Sequence, residues 1–231
     1  MADHVNALGQ PVGAPLNITL PRPRPPRTPM KGKWCDVVPL DPEAHAAGLF
    51  EAYSADVEGR IWTYLPQGPF VDSAAFRAWM DATCLTDDPL FHTIVVDGRP
   101  LGVASLMRID PANGVIEVGN INYAPALSRS REATEAMYLL MRRAFEELGY
   151  RRYEWKCDAL NAPSRQAAAR LGFTYEGTFR QAVTYKGRNR DTAWFSILDT
   201  EWPRLREGFI TWLDPANFDD TGRQRSPLRF D

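Results

Sequence analysis

The chain has 231 residues, 44% of them hydrophobic, which is enough for one generous domain with a real core. Its formal net charge of -2 lacks the excess of Lys and Arg that neutralises phosphates, so no nucleic-acid partner is expected. No run of eighteen apolar residues and no basic segment ahead of an apolar one occurs, so neither a membrane span nor an export signal is expected.

Cys35, Cys84 and Cys157 stand far apart, without a CxxC pair or a His at ligand spacing. That pattern argues against a disulfide framework and against a metal site, and for a reducing, cytoplasmic setting.

Residues 1–33 are punctuated by prolines, among them Pro21, Pro23, Pro25 and Pro26, and carry no apolar period. They read as an extended arm lying on the domain or on a neighbouring subunit. The domain is expected over 34–213, with 214–231 a polar tail. Cys35 to Leu40 reads as a strand, and Asp41-Pro42 supplies a cap and first-turn proline for a helix through about Ala55. An aromatic loop broken by Pro and Gly follows, with Trp62, Tyr64 and Phe70, and then a helix opens at Asp72 or Ser73.

Phe91 to Val96, Leu101 to Arg108 and Val115 to Tyr123, separated by Asp97-Gly98 and by Asp110 to Gly114, form a three-stranded meander. Arg131 to Leu148 places Ala133, Met137, Leu140, Met141 and Ala144 on one helical face, and Gly149 follows where a helix ends. Tyr153, Trp155 and Cys157 alternate with charged residues in the next strand, and Asn161 to Leu171 is a short helix stopped by Gly172. Two strands, Phe173 to Tyr185 and Thr192 to Leu198, flank a basic turn over Lys186 to Arg190, and Glu201 to Leu213 is a last helix.

Several ordered motifs agree with one family. Asn161-Ala162-Pro163-Ser164 followed by Leu171-Gly172-Phe173-Thr174-Tyr175-Glu176-Gly177 resembles the N-x-x-S … LGF-x-x-E-G signature of the RimJ/RimL branch of the GNAT N-acetyltransferases. Ala133-Thr134-Glu135-Ala136 and Arg190-Asp191 resemble two further marks of that branch. The resemblance implies an α/β fold: a mixed, mostly antiparallel sheet of six to seven strands, with splayed central parallel strands and flanking helices. It implies acetyl-CoA as co-substrate, no metal, and direct transfer of the acetyl group to a primary amine. The acceptor is a protein N-terminus or a small-molecule amine, and homodimers are common in the family. A succinyl donor, or a catalytically silent acyl-CoA-binding or interaction module on the same fold, are the alternative readings.

Free amides and the positive dipole end at a helix start make an anion site, so Ser128, Arg129, Ser130, Arg131, Glu132 and Ala133 are the expected phosphate contacts. The family has small residues here, where this chain has Arg129 and Arg131. Either the arginines add charge-assisted contacts to phosphate, or their bulk closes the site.

Asn161 resembles the residue that meets the pantetheine arm or the reacting centre, and Ser164 one that meets CoA; both also suit plain helix capping. Glu117, in a strand otherwise apolar, is the candidate base, or else a carboxylate paired with arginine or facing water at the strand's end. A backbone N–H of Ile121, Asn122 or Tyr123, freed by a bulge near Gly119-Asn120, is the expected oxyanion donor. Trp62, Tyr64 and Phe70 wall the amine site or pack beneath their loop. Ala167, Ala168 and Ala169 stand where many relatives carry an acidic tyrosine, so protonation of the thiolate falls to water, Tyr123 or Cys157.

Overall fold

The computed structural model describes residues 4–230. Residues near the N-terminus form a small hairpin, β1 (His4–Val5) with β2 (Pro11–Val12), and the Pro-rich arm then runs along the domain surface. It is fastened there: Arg27 pairs with Asp87 at 3.0 Å, Arg143 donates to the Thr28 carbonyl at 2.6 Å and the Tyr150 hydroxyl to the Pro23 carbonyl at 3.1 Å. Its last residues, β3 (Met30–Lys31), pair antiparallel with β4 (Asp36–Pro39) and become the edge of the sheet.

Asp41 caps α1 (Pro42–Tyr53) by accepting the Glu43 N–H, and Asp72 caps α2 (Ser73–Thr83) by accepting the Ala75 N–H. The meander is β5 (Leu90–Val96), β6 (Arg99–Asp110) and β7 (Val115–Tyr123). Then come α3 (Arg131–Arg142), continued by a wider turn over Arg143–Glu147, β8 (Arg152–Asp158), α4 (Ala162–Arg170), β9 (Thr174–Tyr185), β10 (Arg188–Leu198) and α5 (Trp202–Leu213). The sheet order is β3-β4-β5-β6-β7-β8-β10-β9, and only β7 and β8 run parallel. Seven of these strands are the expected ones; the eighth is the arm's edge segment.

Alternate strand residues feed two cores, as a period of two requires. One holds Leu106, Val118, Leu140, Tyr153, Phe195 and Phe209 beneath α3 and α5; the other holds Leu49, Trp62, Phe76, Met80 and Phe91 beneath α1 and α2.

The structure corrects two boundaries. The turn between β9 and β10 is only Lys186-Gly187, both with positive φ (48° and 69°), so Arg188 to Arg190 belong to β10 rather than to a loop. A two-residue turn with left-handed backbone matches the twist of the strands it joins. The C-terminal stretch is not a free tail: Phe218 is buried against Trp34 and Trp212, and Phe230 packs on Phe209. Among the described residues no helix is long and apolar enough to cross a membrane, and no group of three or more His, Cys, Asp or Glu is placed to hold a metal ion.

Candidate active site

β7 and β8 pair only from Val115/Arg152 to Val118/Trp155. Beyond that point β7 stays with β6 while β8 stays with β10, and the two part. The cause is local. Between the partners Ser105/Gly119 and Val103/Asn122, β7 carries one more residue than β6, with Asn120 at φ 50°. This is a bulge, and it bends the strand away from its parallel neighbour. Two cavities open at the parting, of about 1010 Å³ on the α3 side and about 520 Å³ on the other, and both touch Tyr123, Trp155, Pro163 and Ala167.

The larger cavity ends at the start of α3. Ser130 caps the helix, its hydroxyl accepting the Ala133 N–H at 3.0 Å, while the Ser128 and Ser130 amides donate to Ala124 and Leu127 carbonyls. The N–H groups of Arg129, Arg131 and Glu132 have no partner among the described residues, so the expected six-residue stretch resolves to three free donors. Arg129 takes the left-handed backbone (φ 61°) that a small residue would supply without cost. The Arg131 guanidinium lies 3.8 Å over the Trp34 ring and pairs with Glu132 at 2.8 Å. Both arginines line the cavity and neither plugs it. An open cavity ending on three free amides and unpaired cationic charge fits a diphosphate.

Two further cations reach this wall unforeseen. Arg170 of α4 donates to the Thr134 hydroxyl at 3.1 Å, and Arg223 comes from the C-terminal stretch. Nothing in their local sequence marks them; only the return of the chain end brings Arg223 here.

On the wall of the smaller cavity, Glu117 is 3% exposed and bonded to Arg108 Nη1 at 2.9 Å and Lys156 Nζ at 2.8 Å. Lys156 also meets Glu154 at 2.7 Å and sits 3.8 Å over the Trp194 ring. The contacts display the ion-paired role. Of the two cations Arg108 is the less confined, its side chain 53% exposed against 5% for Lys156.

Asn161 caps α4 through Oδ1, which accepts the Ser164 N–H at 3.1 Å, while its Nδ2 has no partner among the described residues and the residue lines the cavity. The Ser164 hydroxyl accepts the Trp155 Nε1–H at 3.0 Å beside Cys157, whose thiol burial pushes upward. Ile121, Asn122 and Tyr123 line the cavity past the bulge, and the Tyr123 hydroxyl is buried without a partner among the described residues, its acidity suppressed by burial.

The aromatic loop divides. Tyr64 lines the cavity, its hydroxyl donating to the Leu160 carbonyl at 3.2 Å. Trp62 and Phe70 do not: their rings meet edge to face at 5.3 Å and pack on Phe76, inside the α1–α2 core. Gly68 makes this packing possible, since a Cβ there would stand 2.6 Å from the Trp62 ring. Asp158, Tyr185 and Arg190, which the sequence did not single out as site residues, also line the smaller cavity. Burial, and then the bond it donates to Asp158, push the Tyr185 hydroxyl up to about 12.

A mixed sheet whose one parallel pair opens onto the start of a helix defines a class of acyltransferase domains. The chain belongs to the GNAT acetyltransferase family, a family of acetyl-CoA-dependent N-acetyltransferases: the family model described as "Acetyltransferase (GNAT) domain" matches residues 37–174. It is 47% identical to a GCN5-related N-acetyltransferase of Brucella melitensis, whose crystal structure superposes with a TM-score of 0.90 over 92% of this chain and 97% of that one. RimJ of Mycobacterium smegmatis, solved in complex with CoA-disulfide, shares the fold at a TM-score of 0.63 and 20% identity, over 77% of this chain and 88% of that one. YdaF of Bacillus subtilis, named as a candidate ribosomal N-acetyltransferase, is 31% identical over 109 residues, 47% of this chain and 59% of that protein's length.

Proposed function

We propose that the protein moves an acetyl group from acetyl-CoA directly to a primary amine, on a protein N-terminus or a small molecule. The observation that carries this reading is the parting of β7 from β8 after Val118/Trp155, which joins a cavity ending on the free amides of Arg129, Arg131 and Glu132 to one walled by Glu117, Asn161 and Tyr64. In direct transfer the amine nitrogen attacks the thioester carbonyl carbon, the C–N bond forms as the C–S bond breaks, the nitrogen sheds a proton and the leaving sulfur gains one.

The chain's own groups divide that work. The α3 start holds the diphosphate, and the arm of the donor lies between the separated strands, along Asn161 and Ser164. A backbone N–H of Ile121 to Tyr123 polarises the carbonyl, where a fixed donor in a dry cleft counts for most. Glu117 takes the proton once Arg108 swings aside. The three described thiols are free and buried, which suits a cytoplasmic enzyme.

Thiol release from acetyl-CoA over a panel of amines tests the reading. Glu117→Gln is expected to lower turnover on the order of 10²-fold, the usual worth of a positioned base, with acetyl-CoA affinity by calorimetry nearly unchanged. An unaltered rate would remove Glu117 from proton transfer.

A further inference from the structure

The smaller cavity carries two charges of opposite sign that nothing among the described residues answers at ion-pair distance. Arg190 stands on β10 opposite Val183; its guanidinium has no hydrogen-bond or ion-pair partner among the described residues, and its Nε is buried. Asp158, 5% exposed at the end of β8, accepts the Leu160 N–H and the Tyr185 hydroxyl, each at 2.8 Å, but has no cation within 4.0 Å among the described residues. The two therefore do not pair directly with each other. The other charges on this wall are met: Arg108 and Lys156 by Glu117, and Arg60 by Glu58.

Arg190 is also held where it is. Its neighbour Asp191 is taken up locally, Oδ1 accepting the Gln181 N–H at 2.7 Å and the Asn189 side-chain amide at 3.0 Å, and its carbonyl accepting the Ala159 N–H at 2.8 Å. These bonds pin the irregularity between the Arg190/Val183 and Thr192/Phe179 pairs, and with it the direction of the arginine. A half-buried guanidinium kept from any partner is costly, and a ligand anion removes that cost.

We propose that Arg190 and Asp158 together select an acceptor that carries a carboxylate as well as its amine: Asp158 receives the arriving ammonium and Arg190 the carboxylate, and the ammonium gives up its proton to Glu117 before the neutral nitrogen attacks the thioester. The inference rests on the transferase reading of this site. Asp158 lies just beyond Trp155, the last residue of β8 paired with β7, so an amine held there faces the gap through which the thioester arrives. A planar guanidinium matches a carboxylate with two parallel bonds, which gives discrimination as well as affinity.

The test is thiol release from acetyl-CoA with matched acceptors: L-phenylalanine against phenethylamine, and C-terminally amidated Ala-Asp-Ala against Ala-Ala-Ala. The first pair reads a free amino acid's carboxylate, the second an acidic side chain near a peptide N-terminus. In at least one pair the carboxylate-bearing member is expected to lead by about tenfold in kcat/KM, the order of one charge-assisted pair. Arg190→Gln should bring that ratio close to one, and Arg190→Lys should keep part of it, with melting curves confirming that each variant is folded; if the Gln variant does not fold, the Lys variant's reduced ratio is the reading. Equal rates within both pairs, or a ratio that Arg190 variants leave untouched, would overturn the inference while the transferase reading stands. Absence of thiol release with every amine overturns the transferase reading, and the inference with it.

Discussion

Replacing Arg129 separates what its backbone does from what its charge does. The residue sits at φ 61°, its side chain is exposed, and among the described residues neither its guanidinium nor its N–H, at the cavity end, has a partner. A left-handed L-residue costs about 1–2 kcal/mol, which Arg129→Gly relieves. The greater freedom of glycine in the unfolded chain takes back about 0.4–1 kcal/mol, so the net gain is at most about 1.6 kcal/mol and the melting temperature should rise by no more than about 6 °C. Arg129→Ala keeps the strain and loses only the charge. A unit charge about 4 Å from phosphate in water is worth about 1 kcal/mol, a factor of about five in affinity. Calorimetric titration with acetyl-CoA should therefore show both variants weakened about fivefold at low salt, and wild type converging on them at high salt as the charge is screened. Wild-type affinity in both variants at low salt would make the guanidinium a bystander. A loss in Arg129→Ala that Arg129→Gly restores would put the whole effect in the loop backbone.

His92 is fully buried, neither ring nitrogen has a hydrogen-bond partner among the described residues, and burial, reinforced by the Arg143 cation, holds its pKa down to about 4 against 6.5 in the unfolded chain. The unfolded state thus takes up the proton first as pH falls, so stability is whole above about pH 6.5 and declines toward pH 4, by up to roughly 3 kcal/mol. Urea unfolding of His92→Met should lack this slope; parallel decline in both proteins would refute the assignment. Trp62→Ala should cost about 3–5 kcal/mol of stability through the cavity it leaves, whereas Tyr64→Ala should raise the acceptor KM with little change in melting temperature. Steady-state kinetics beside thermal melts would expose the reverse pattern.

Much of the frame was legible. Asp41 and Asp72 cap the helices they were expected to cap, the meander follows its turn residues, and the bulge falls at Asn120, because each depends on a few adjacent residues. The edge strand Met30–Lys31 was hidden inside a proline-rich arm, since two residues show no alternation. Trp62 and Tyr64 stand two apart in one loop and read alike, yet one fills the core and the other faces the cavity. The basic run after Tyr185 looked like a loop, and the structure gives its last arginine to a strand that faces the cavity.

The sequence by itself determined the family, the order of elements and the helix start that ends the larger cavity, for those rest on short-range caps, turns and periods. Only the tertiary structure decided which charges meet. Glu117 finds Arg108 across a hairpin and Lys156 across the parallel pair, while Arg190 and Asp158 share a cavity without touching. Such encounters follow from strand register and from where two strands separate, quantities that no local pattern encodes.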